Sequence, residues 1–201
     1  MAVLRVLTGV VAVLVISSCS SSRPEPSATP SSPTSSPPSA STSSAATDAA
    51  QEAKAQAVAL IPTYLETIDD LYLDPSRPLD DVYQVAVAPD AVVEATAIGK
   101  FHAQRYQQTG RVQLVSASVD SIDLTSDSAA MPSPAGPTVI VTACVDVSQV
   151  DAIDTTGRSI VPADRPQYLV EQLTVVNPRY PDQSSWRVSM ASNAQAQSCG
   201  G

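Results

Sequence analysis

The chain has one histidine, His102, the first residue to consider for acid–base work, because only imidazole titrates near neutrality unaided. It stands between Phe101 and Ala103 with no acid three or four residues further on, so it reads as a partly exposed helix residue. Carboxylates crowd a second place: Glu66, Asp69, Asp70, Asp74, Asp80 and Asp81. Their hard oxygens suit calcium, but the spacing matches no loop motif and no glycine supplies the sharp bend. The run reads as a solvated acidic surface. No serine lies in a Gly-x-Ser-x-Gly elbow and no glycine-rich phosphate loop is present, so nucleophilic catalysis has no support. Three cysteines, Cys19, Cys144 and Cys199, complete the reactive side chains. They show no Cys-x-x-Cys spacing, so zinc has no ligand set.

The formal net charge of -9 argues against nucleic acid, whose phosphates demand basic patches. It argues equally against a polybasic grip on a membrane. Near the start, Val6 to Ile16 is almost wholly apolar behind the single charge of Arg5. That run is shorter than the ~20 apolar residues of a permanent span and has the length of a signal-peptide core. It ends in Ile16-Ser17-Ser18-Cys19, which resembles the lipobox of bacterial lipoproteins, with Ile16 for leucine and Ser18 for glycine or alanine. The resemblance implies diacylglycerol on the Cys19 thiol, cleavage before it, and residence on the extracytoplasmic face of the cell membrane. If Cys19 carries lipid, Cys144 and Cys199 remain, and in an oxidising compartment they read as one disulfide; two free thiols are the alternative.

Residues 1–18 are therefore expected to be a lipoprotein signal peptide, 19–46 a tether and 47–201 one α+β domain. Ser20 to Ala46 is nearly all Ser, Pro, Thr and Ala. With no apolar residue larger than alanine it cannot offset the entropy of ordering. Proline makes it a semi-extended spacer, and its hydroxyls could accept O-linked sugar. In the domain, aromatics are scarce, with one Trp and one Phe, so Val, Ile, Leu and Ala must fill the core.

Thr47 reads as the N-cap of a first helix, with Ala57, Leu60, Ile61, Tyr64, Leu65, Ile68, Leu71 and Tyr72 at helical spacing. Pro62 predicts a kink or break near Ala57 to Ile61, and Pro75 and Pro78 end the helix. Leu79 to Val87 reads as a short second helix. Pro89 opens a third, striped by Val92, Val93, Thr96, Ile98 and Phe101 and closed by Gly110. From Arg111 the period changes to that of strands. Val112, Leu114, Ser116, Ser118, Ser121 and Leu124 fall on one face of the first, with Val115, Ala117, Val119 and Ile122 on the other. Thr138 to Val147, Tyr168 to Val176 and Ser185 to Met190 follow. Between them lie a loop at Met131 to Pro137, a Thr156-Gly157 turn and two prolines after Asn177.

Three helices followed by about four antiparallel strands resemble the NTF2-like (cystatin-like) superfamily, in which a curved sheet wraps a long N-terminal helix into a cone. The order is similar to that of small actinobacterial and phage-borne secreted proteins. That likeness runs through Ala143-Cys144-Val145-Asp146-Val147-Ser148, Gly157-Arg158-Ser159, Val161-Pro162-Ala163-Asp164-Arg165-Pro166, Trp186-Arg187-Val188 and Ser198-Cys199. Isomerase- and cyclase-type members of the superfamily imply an acid and a tyrosine inside the cone. On that pattern Tyr64, Tyr72, Asp120, Asp123 and His102 are the candidate cavity residues. Arg165 reads as locally paired in a turn, and Trp186 as a core anchor. The expected function is a membrane-anchored envelope lipoprotein whose domain binds a protein partner or small apolar ligand without catalysis and without a cofactor. The alternatives are a phage or mobile-element surface-exclusion protein and a cone-cavity enzyme.

Overall fold

A computed structural model of the chain describes residues 42–126 and 136–199. The expected signal peptide, Cys19, the expected tether as far as Ser41 and Met131 to Ala135 of the expected loop lie outside the described residues. Helix α1 runs Thr42–Leu73, starting five residues ahead of Thr47 because the helix-forming Ala45 and Ala46 extend it. It passes through Pro62 without the expected break. A helix-interior proline costs ~3 kcal/mol. The residues around it, Ala57, Ile61, Tyr64 and Leu65, are all buried, and each large apolar side chain gains ~1.5–3 kcal/mol by burial. Packing outweighs the lost bond.

After Pro75 a 3-10 turn spans Leu79–Gln84, and α2 spans Asp90–Ala103 behind Pro89. The third helix thus closes at Ala103 rather than at Gly110. Arg105 takes a positive φ of 56°, and the chain turns into a short strand, β1 (Gln107–Thr109). Gly110 has the left-handed φ expected of it, 70°, but uses it in the turn towards β2 (Gln113–Asp123). A Cβ there would lie 1.8 Å from the Gln149 carbonyl oxygen, so only glycine fits.

The main sheet is antiparallel and open, in the order β2-β3-β5-β6, with β3 at Thr138–Asp146, β5 at Tyr168–Val176 and β6 at Arg187–Ala196. A second sheet, unforeseen in the sequence, pairs β1 with β4 (Asp151–Ile153). The helices pack against one face of the main sheet. Val139, Val141, Ala143 and Val145 of β3 are fully buried on that face, and Leu173, Val175 and Val188 continue it across β5 and β6.

The faces of β2 depart from simple alternation. Pairing shifts register between Leu114 and Ser116 and again between Val119 and Ser121. Each bulge inserts one extra residue and resets which side the next residue faces. Leu114 therefore joins Ala117, Val119 and Ile122 against the core, opposite Val145, Ala143, Val141 and Val139, instead of facing away from them. Val115, at the first bulge, is half exposed at 51%. Strand β6 is longer than expected. It continues through Ser192 to Ala196, which bury little but pair with β5 as far as Tyr168.

Cys144 alternates away from the core row and is bonded to Cys199, with Cα atoms 5.5 Å apart. Val170 of β5 lies beside Cys144, so the tail leaves β6 and crosses β5 to reach β3. The bond closes a separation of 55 residues. Loop entropy assigns such a closure ~4 kcal/mol, which is a large share of a stability of ~5–15 kcal/mol. Cys199→Ser should therefore lower the melting temperature by on the order of 10 °C and raise amide exchange at the end of β6. Peptide mapping of the unreduced protein should give one Cys144–Cys199 link. Rapid labelling of both thiols in the oxidised, folded chain would refute the pairing.

Candidate functional site

The core-facing row of β5 reads Leu169, Glu171, Leu173, Val175, so a carboxyl interrupts an otherwise apolar face. Its neighbours across the ladder are Ala143 on β3 and Asn193 on β6. Two further carboxylates come from α2. Asp90, the first residue of that helix, is buried, and its negative charge suits the helix's positive end. Glu94 stands one turn later on the same side. Tyr64, buried on α1, donates its hydroxyl to Asp90 Oδ2 at 2.9 Å. Tyr64 and Asp90 are thus in contact, and Glu94 and Glu171 lie within electrostatic reach of them.

The electrostatics follow from that arrangement. Burial, then the charges of Glu94 and Asp90, pushes the Glu171 carboxyl from its ordinary 4.5 up to about 7. Burial, then Asp90 and Glu94, holds the Tyr64 phenol well above its ordinary value of 10. Tyr72 is raised in the same way by burial and Glu94. Both phenols therefore remain hydrogen-bond donors at neutral pH.

The sequence placed Tyr64 and Tyr72 correctly on the inward stripe of α1, and both are buried. Tyr72 packs edge-on against Phe101 at 5.1 Å. It did not find the acids. Asp120 and Asp123 are exposed on β2, away from the interior. Asp120 falls at the second bulge and accepts the Thr142 hydroxyl at 2.6 Å. Asp123 accepts the Thr125 amide and hydroxyl, which hold its carboxyl below the usual range. His102 is half-buried near the end of α2, with its ring 5.9 Å from Phe101. Twelve residues of helix, about 18 Å, separate it from Asp90. Its Nε2 is buried without a hydrogen-bond partner among the described residues.

The acidic run at the end of α1 is the expected solvated surface only in part: Glu66, Asp74 and Asp80 are exposed, Asp70 and Asp81 are half-buried, and one member departs from it. Asp69 is buried and accepts Gln108 Nε2 and the Val112 amide, each at 2.8 Å, clipping α1 to β1 and β2. Burial raises its carboxyl above the ordinary value, while those two bonds act in the opposite direction. Asp70 bridges Arg77 and Arg111, and Arg77 also pairs with Asp81 at 3.0 Å. Arg111, Glu66, Pro62 and Leu114 border a shallow groove beside this clip. Arg165 is locally paired: its guanidinium donates to the Val147 carbonyl at 2.7 Å and to that of Val150. Trp186 is a core residue, buried with its indole N–H on Gln183 Oε1 at 3.2 Å.

The chain is thus an α+β domain with helices on one face of an open four-stranded sheet. No protein-family model matches it, and no curated protein does. Its structure is similar to the intermembrane-space region of the chloroplast protein ARC6, at a TM-score of 0.48 and 10% identity, over 71% of this chain and 97% of that one. It is also similar to a de novo designed β-sheet protein solved by solution NMR, at a TM-score of 0.26 and 14% identity, over 77% and 94% of the two chains. Neither likeness bears on activity.

The two kinds of carboxylate contact are separable by mutation. Tyr64→Phe removes a donor from a buried carboxyl and should cost ~1–3 kcal/mol in urea unfolding. Thr142→Val removes the exposed Asp120 bond and should change stability by less than ~0.5 kcal/mol. Equal effects would mean that the Tyr64–Asp90 bond is not buried in the interior.

Proposed function

We propose that this chain is a lipid-anchored envelope protein, NTF2-like in plan, whose domain recognises a protein partner without performing catalysis. The observation that carries the reading is the filling of the space between helices and sheet. Ile61, Leu71, Val82, Ile98, Leu173 and the valines of β3 are fully buried there as one continuous core. A ligand-binding or catalytic cone keeps that space for its small molecule. Here Leu169 and Leu173 flank Glu171, and Ile61 and Leu65 flank Tyr64, so side chains occupy the position that a substrate would take. Recognition then falls to the surface, where Tyr83 and Val92 stand about half exposed on two elements that pack together. The Cys144–Cys199 bond supports an oxidising compartment outside the cytoplasm. The Ile16-Ser17-Ser18-Cys19 motif supports attachment through lipid on Cys19, and a Ser/Pro spacer would carry the domain away from the membrane.

Cys19→Ala should move the protein from the membrane fraction to the medium with its domain folded, since stable anchoring depends on the acyl chains. Retention of the variant in the membrane through an uncleaved N-terminus would defeat the anchor. For the domain, native mass spectrometry of the extracted wild-type chain should give a mass accounted for by polypeptide and lipid. A retained small molecule, lost on unfolding, would favour the ligand-binding reading instead.

A further inference from the structure

We propose that the groove between the β3–β4 turn and the segment Ser159 to Gln167 binds a small zwitterion, a short peptide with free ends, whose carboxylate meets Arg165 and whose ammonium group meets Asp151. The groove measures about 320 Å³ and is lined by both segments: Ser148 and Asp151 from the turn and the start of β4, and Ser159, Val161 and Arg165 from the longer excursion. That volume lies at the lower end of the range of small-molecule sites. The groove shares no residue with the Tyr64–Asp90 pair or with the Asp69 clip. It therefore stands apart from the filled space between helices and sheet. Its walls are fixed before any ligand arrives. The Ile160 amide donates to the Ala152 carbonyl at 2.8 Å, and the Val147 amide donates to that of Gln167 at 2.8 Å, so the excursion is tied near each end. Between those ties the Ser159 hydroxyl donates to Asp151 Oδ1 at 2.6 Å, and the Arg165 guanidinium reaches the Val147 and Val150 carbonyls. Groups that the fold already holds in place lose little freedom on binding.

The charges define what the groove can take. Arg77, Arg111, Arg158 and Arg179 each pair with an aspartate. The half-buried Arg165 pairs with no carboxylate among the described residues. Its two carbonyl partners are both served by Nη2, which leaves Nε and Nη1 to donate. Asp151, also half-buried, faces no cation among the described residues. The Ser159 hydroxyl and the Ala152 amide both bond to its Oδ1 and leave Oδ2 to accept. Arg165 and Asp151 border one groove, yet they form no ion pair with each other. A plain anion would be drawn to the first and repelled by the second, and a plain cation the reverse. A molecule with both charges suits both, and a planar guanidinium matches a carboxylate with two parallel donors. Val161, Pro162 and Ala163 add apolar surface for small aliphatic side chains.

The test is a titration of the extracted full chain, disulfide intact, with trialanine, followed by the amide NMR shifts of the protein. Saturable shifts should centre on Ser148 to Asp151 and Ser159 to Gln167, with a dissociation constant on the order of 1 mM. N-acetyl-trialanine and trialanine amide each lack one of the two charges and should bind about threefold more weakly or worse. Asp151→Asn keeps an acceptor for Ser159 and removes the charge. It should bind trialanine no better than N-acetyl-trialanine, while trialanine amide remains the poorer ligand than trialanine in wild type. The three peptides measured on the wild type keep the proposal open to refutation even if the variant misfolds. No saturation by tens of millimolar trialanine, shifts centred outside the groove, equal binding of all three peptides to the wild type, or an undiminished preference of Asp151→Asn for the free amine would each overturn the site.

Discussion

One stripe of α1 must be buried against one row of side chains on each strand, and the rest of the fold follows from that contact. A helix repeats every 3.6 residues and a strand every two, so each can present only part of itself to the interface. Ala53, Ala57, Ile61, Tyr64, Leu71 and Tyr72 supply the helical stripe, and alternate valines of β3 supply the centre of the sheet. With a single Trp and a single Phe, the core has few large side chains to absorb misfit. Small and β-branched residues must interdigitate closely, and the backbone adjusts where the pattern would otherwise fail. The bulges in β2 are such adjustments. They turn Leu114, Ala117, Val119 and Ile122 to one side although those residues do not alternate in sequence. The helix tolerates Pro62 for the same reason: the buried stripe around it is worth more than one backbone bond.

Three acids lie along this apolar contact, Asp69 and Asp90 buried and Glu171 half-buried, and they meet its cost in different ways. Asp69 is held by donors, the Gln108 amide and the Val112 backbone, so its position joins the helix to the beginning of the sheet. Asp90 accepts the Tyr64 hydroxyl, whereas the carboxyl of the half-buried Glu171 is pushed up by burial and by the charges of Glu94 and Asp90. Asp69 therefore serves as a fixed clip between α1 and the sheet.

Much of this was legible in the sequence. The 3.6-residue stripe of α1, the β-branched run of β3 and the full extent of β5 are local patterns, and local patterns survive in one dimension. The bulges were not legible, because an inserted residue leaves alternation looking intact while its phase changes. The pair β1 and β4 has three residues in each strand, too few to show a period. The polar second half of β6 lies beyond the expected strand, which ends at Met190; what holds it is the backbone ladder to β5, which no side chain announces. Asp120 and Asp123 were cavity candidates on the superfamily pattern alone, and three residues apart they would face opposite sides of a regular strand. Glu171 was overlooked within an apolar run, although its place between Leu169 and Leu173 by twos was a sufficient signal. An acid at a helix start, such as Asp90, is ordinary in sequence, and only the tertiary contact with Tyr64 marks it as a buried one.

The edges of the sheet bear on how such a domain can be recognised. An open sheet leaves two strands with unpaired backbone groups, which invite another strand to add to them. Here the outer strand β2 carries two bulges and the exposed Asp120, and β6 carries a register shift of its own between Val175 and Thr174 of its partner. Past β6 the chain crosses to Cys144 and is fixed there by a covalent bond. Bulges twist an edge and misalign its donors and acceptors, and a tail pinned across the sheet cannot swing out to pair elsewhere. Strand addition is thereby disfavoured at both edges. The exposed large apolar side chains among the described residues stand elsewhere than on such a free edge alone: Tyr83 and Val92 lie among the helices, and Val115 and Met190 on the sheet.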